Sequence, residues 1–159
     1  MKYPFAAICL LAGAMLSSCN VRENITHAEK AVDEFHVLYE TGKPELIHQK
    51  ADAALKATVT EQDMVAFVNG VHDKLGKITS STNENSSIFS GTNGTEVRLV
   101  YKTTYEKGTG TEKFSYLIDG GKPALLSWFI DSPQLTSHPS KKEDPAAAAP
   151  ADGAAVPAR

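Results

Sequence analysis

The chain changes hydrophobic period halfway along. In its first half, Ala28, Ala31, Val32, Phe35, Leu38 and Tyr39 fall on one face of a 3.6-residue helix. Thr26-His-Ala-Glu29 before them matches a capping box, and Gly42 suits the position just past a helix end. Pro44 fits the first turn of a second, weaker helix, whose Leu46, Ile47, Ala51, Ala54 and Leu55 share a face. A third helix follows, with a Thr60-Glu-Gln-Asp63 cap, a stripe of Met64, Phe67, Val68, Val71 and Leu75, and a stop at Gly76.

The second half alternates with a period of two. Val97, Leu99, Tyr101, Thr103 and Tyr105 alternate with Arg98, Val100, Lys102, Thr104 and Glu106, as a half-buried strand does. Lys107-Gly-Thr-Gly110 reads as a hairpin loop leading to a strand with Phe114, Tyr116 and Ile118. Asp119-Gly-Gly121 is a second turn, before a final strand from Leu125 to Ile130 that contains Trp128. A shorter pair is expected over Ile78–Thr82 and Ser87–Ser90. Helices first and an antiparallel meander after them predict an α+β domain, three helices on one face of a sheet of about four to five strands.

Both ends lie outside this pattern. From Tyr3 to Leu16 the chain is apolar or small, with Lys2 its only nearby charge. As a helix this stretch spans roughly 21 Å, short of the ~30 Å hydrocarbon core, so it reads as a signal segment and not a permanent span. Leu16-Ser17-Ser18-Cys19 resembles the bacterial lipobox. That resemblance implies cleavage between Ser18 and Cys19 and a diacylglyceryl thioether on Cys19. Two or three acyl chains then make a stable anchor. By the usual sorting pattern, Asn20 after the cysteine implies the outer membrane, on its periplasmic side. From Ser132 onward five prolines and a run of alanines leave too little apolar surface to offset ordering, which predicts a disordered tail. The expected division is thus a signal peptide at 1–18, a linker at 19–25, a folded domain at 26–131 and a tail at 132–159.

Composition narrows the partner. With 159 residues there is room for one ordinary domain. Asp and Glu outnumber Lys and Arg by 19 to 16, for a net charge of −3, so the chain lacks the basic excess of a nucleic-acid binder. Cys9 lies in the signal segment and Cys19 is taken by lipid, which leaves no cysteine for disulfides, nucleophilic attack or metal binding. The histidines have no metal-ligand spacing, and no phosphate-binding or nucleophile-elbow motif occurs, so no cofactor and no metal are expected.

Thr60-Glu-Gln-Asp-Met, Leu75-Gly-Lys-Ile78 and the closing Leu126-Ser-Trp-Phe-Ile130 resemble the nuclear transport factor 2-like (cystatin-like) roll over about Ala28 to Ser132, in particular small bacterial families of unknown function. The resemblance implies a curved sheet forming a cone with the helices. A cystatin-type helix-on-sheet domain is the nearest rival. In a roll, Tyr101, Tyr105, Phe114, Tyr116 and Trp128 would line a candidate cavity for a small hydrophobic ligand, or simply fill the core. Enzymes of this superfamily often use Asp and His groups, and His36 with Asp33 one turn earlier is the candidate polar pair. Arg98, Lys102 and Lys113 fall on the opposite, solvated face, open to a protein partner. The reading is a non-catalytic, lipid-anchored periplasmic binding or interaction module for an envelope protein or a small hydrophobic ligand. The alternatives are an immunity or inhibitor lipoprotein against a toxin or cell-wall hydrolase, and a small cavity enzyme using His36 and Asp33.

Overall fold

The computed structural model of the chain describes residues 14–92 and 94–136, with residues 14–19 as backbone only. The signal segment up to residue 13, the side chains of Ser18 and Cys19 and the tail from residue 137 lie outside the described residues.

Among the described residues the fold is α+β: four helices, a four-stranded antiparallel sheet in the order β1-β2-β3-β4, and one short closing helix. Helix α1 is Ala14–Glu40, α2 is Pro44–Gln49, α3 is Ala53–Thr58 and α4 is Glu61–Leu75. The strands are β1 Ile78–Gly91, β2 Gly94–Tyr105, β3 Gly108–Asp119 and β4 Lys122–Asp131, and α5 is Pro133–Thr136. The core lies between α1, α4 and one sheet face. Ala28, Val32, Phe35, Leu38 and Tyr39 meet Val97, Leu99, Tyr101, Tyr105, Phe114, Tyr116 and Ile118 there, all buried.

Helix α1 is longer than its cap pattern predicts, and residues 20–25 are helical instead of a linker. The Thr26 hydroxyl donates back to the Arg22 carbonyl at 3.1 Å, a mid-helix contact and not a cap. Ile25, one turn before Ala28, packs against the core and extends the apolar stripe upstream. The expected second helix is divided. The backbones of Lys50 and Asp52 pair with Leu125 of β4 (Leu125 N–H to Lys50 carbonyl 3.3 Å, Asp52 N–H to Leu125 carbonyl 2.8 Å), so neither group is free to continue the helix. Asp52 then caps α3 by accepting from the Ala54 N–H. Helix α4 follows its sequence pattern. Thr60 accepts from the Asp63 N–H at 3.1 Å, and Gly76 ends the helix at φ 77°, where a Cβ would collide with Glu106.

The expected short strand pair is one strand, β1. Asn83-Glu-Asn85 brings no turn, and a register shift between Asn83 and Asn85 absorbs the irregularity instead. Between β2 and β3, Tyr105 already pairs with Gly108, so the turn is Glu106-Lys107 alone. Gly120 and Gly121 form the β3–β4 turn at φ 53° and 78°, the left-handed pair of a tight hairpin. The fold also runs past the expected boundary at Asp131. Ser132 is buried and donates to the Thr109 carbonyl at 2.8 Å, and Leu135 packs against the core.

Candidate functional site

Strand parity sets the interior. On β3, positions 112, 114, 116 and 118 face the helices, so Glu112 shares the aromatic face with Phe114 and Tyr116. Directly across the ladder it pairs with Tyr101 on β2 and Ile130 on β4. Its side chain is 1% exposed.

A buried carboxylate needs donors to replace water, and Glu112 has three. Oε2 lies 2.9 Å from His36 Nε2 and accepts from the Thr103 hydroxyl at 2.6 Å, while Oε1 accepts from Trp128 Nε1 at 3.0 Å. An ionised carboxylate only accepts, so Nε2 of His36 carries the proton in this contact. Thr103 has one proton and gives it to Glu112, so Ser81, 2.8 Å from the Thr103 oxygen, donates to it. One carboxylate thus ties α1, β2 and β4 to β3 and, through Thr103, reaches β1. The hydroxyl of Tyr105 is buried in the same core without a hydrogen-bond partner.

Of the five aromatic residues expected to line a ligand cavity, Tyr105 packs on Tyr39 at 6.2 Å, while Tyr101, Tyr116 and Trp128 gather around Phe114. Phe35 of α1 wedges between them, 5.1 Å from Phe114 and 4.7 Å from Trp128 between ring centroids. Phe114 stacks with Tyr116 at 6.2 Å, and His36 meets the rings of Phe114 and Tyr101 edge-on. Phe67 closes over Trp128 at 5.3 Å while staying half exposed itself. Asp33, the partner that the sequence offered to His36, is exposed, and His36 turns to Glu112 instead. Glu112 escapes a motif search because its three partners come from three separate elements. Its parity with Phe114 is the signal that points to it.

Burial lifts the phenols of this core above their ordinary range. Tyr101 is pushed up to about 12, by its burial first and then by the carboxylates of Glu29, Asp33 and Glu112. Tyr39, Tyr105 and Tyr116 are raised as well, burial again leading and the Glu112 charge contributing.

Among the described residues, no helix packs over Phe89 and Phe129 on the opposite sheet face. Ser87, Arg98, Ser115 and Ser127 form one cross-strand row there, flanked by Phe89 on β1 and Phe129 on β4. These two phenylalanines are 49% and 58% exposed. The Arg98 guanidinium lies 4.4 Å over the Phe89 ring, and the Lys113 ammonium is 6.0 Å from the Phe129 ring. Glu96 accepts from Arg98 Nε and from the Ser115 hydroxyl, both at 2.6 Å. Arg98 first and Ser115 second hold its carboxyl below the usual carboxylate range. Parity places Arg98, Lys102 and Lys113 on this face as the alternation predicts. Phe129 shares that parity two residues from Ser127, but its aromatic character points to the core. The chain matches no protein-family model and no curated protein.

Proposed function

We propose that this chain is a non-catalytic binding module, held on the periplasmic side of the bacterial outer membrane by lipid on Cys19, whose domain is a nuclear transport factor 2-like roll. Helices followed by an antiparallel meander support the roll, and Leu16-Ser17-Ser18-Cys19 supports the anchor. The observation that carries the binding role is the pair of half-exposed phenylalanines, Phe89 and Phe129, on the outer sheet face. Isolated exposed apolar residues are ordinary, but two rings bordering a row of small hydroxyls and flanked by Arg98 and Lys113 make a shallow surface with apolar and cationic character. It suits an envelope protein that offers apolar and acidic groups.

The interior argues against chemistry. Both Glu112 oxygens are engaged, the carboxylate is 1% exposed, and aromatic rings occupy the space around it. A reacting group needs room for substrate within hydrogen-bond reach, and here that shell is filled by protein.

Two variants test the reading. Cys19→Ser should move the protein from the membrane fraction to soluble periplasmic extract. Phe89→Ser/Phe129→Ser should fold with a melting temperature within about 3 °C of the native chain, since both rings lie outside the core. It should also lose the cross-linked envelope partner that the native chain retains. A double variant that keeps the same partner would reject this face as the docking surface.

A further inference from the structure

We propose a second, independent site: a small apolar cavity between α1, α2 and the β3–β4 hairpin that binds one monocyclic aromatic or branched alkyl molecule of about benzene's size. The cavity measures roughly 150 Å³. Its walls are Phe35 and Leu38 of α1, Ile47 of α2 and Leu125 of β4, all buried, with the Tyr116 ring as floor. It borders the filled aromatic interior around Glu112 and shares Phe35 and Tyr116 with it.

Three features make this a place for a ligand and not for water. The Tyr116 hydroxyl is already committed to the Ala31 carbonyl at 3.2 Å, so the floor offers a ring face. The charged groups that line the cavity, Glu34 and Lys50, pair with each other at 3.0 Å and are each about half exposed, so they stand at its mouth. A water needs two to four polar partners, and apolar cavities of about this size stay dry and take up benzene. The walls are also held open before any ligand arrives. Leu125 is bonded through both its backbone groups to Lys50 and Asp52, which fixes the end of α2 against β4, and Ala31 is too short to fill the gap from α1. The Glu34–Lys50 pair restricts entry to small molecules and leaves a polar substituent facing a cation and an anion.

Titration of the intact chain with toluene, followed by methyl NMR, tests this. Signals of Leu38, Ile47 and Leu125 should shift saturably, while Ile88 on β1, at the far edge of the sheet, stays still. Ala31→Leu, which grows into the cavity, should weaken toluene binding at least tenfold. Should that variant fail to fold, Leu38→Phe fills the same space from two turns further along α1 and should have the same effect. The proposal is overturned if the native chain shows no saturable shifts, or if filling the cavity leaves toluene affinity unchanged. The outer-face variant Phe89→Ser/Phe129→Ser should bind toluene like the native chain, so the two sites fail or stand separately.

Discussion

Glu112 concentrates the energetics of single residues. Replacing it by Leu removes the one acceptor that satisfies His36, Thr103 and Trp128, and buried donors left without partners cost about 1–3 kcal/mol each. Glu112→Leu should therefore lower stability by about 3 kcal/mol or more, measured by urea denaturation. A loss below about 1 kcal/mol would mean that the network is not formed in solution. Tyr105 is the opposite case. Its hydroxyl is buried without a partner, so Tyr105→Phe should be neutral or stabilise by up to about 1 kcal/mol. The raised phenols add a pH signature. An unfolded tyrosine ionises near pH 10, whereas folded Tyr101 holds its proton to about 12. Between those values the unfolded chain binds fewer protons than the folded one, so stability falls as pH rises. Denaturation midpoints should hold steady below about pH 10 and decline above it, and Tyr101→Phe should flatten the decline. Midpoints that stay level to pH 12 would contradict the burial of these hydroxyls. The sequence displays the aromatic face by alternation alone. It does not display the Glu112 network, whose partners lie between 9 and 76 residues away along the chain.

The same split between local and distant causes appears in the elements. Thr60 and Gly76 mark the ends of α4 because capping and a left-handed stop are decided within one turn. Thr26 carries an equally good local signature inside a continuous helix, because Ile25 keeps the buried stripe going. The two threonines should therefore respond differently. Thr60→Ala should cost about 1 kcal/mol through the lost cap, and Thr26→Ala should cost close to nothing. Equal losses would restore the helix start at Thr26. The break between α2 and α3 is likewise set from outside, by the bonds of Leu125 some seventy residues downstream in the chain. Strand β1 reads as two pieces only because its centre, Thr82-Asn-Glu-Asn-Ser86, is polar. Pairing with β2 along its length overrides that local preference.

At the scale of the molecule, helices before an antiparallel meander follow directly from the change of period, and the order β1-β2-β3-β4 needs only the two tight turns and the approach of Gly91 to Gly94. What the two faces do is less legible, since alternation alone does not say which rings stay exposed. One face is closed by its own rings and by Glu112, and the other presents Phe89 and Phe129 to solvent. The lipid proposed on Cys19 would confine the encounters of that second face to the envelope. The most direct test places a photo-crosslinking residue, in living cells, at position 89 or 129 on the sheet and, as a control, at exposed Val37 on α1. Adducts to one envelope protein from the two sheet positions, and none from position 37, are the predicted result. Adducts from position 37 with none from the sheet would contradict the account.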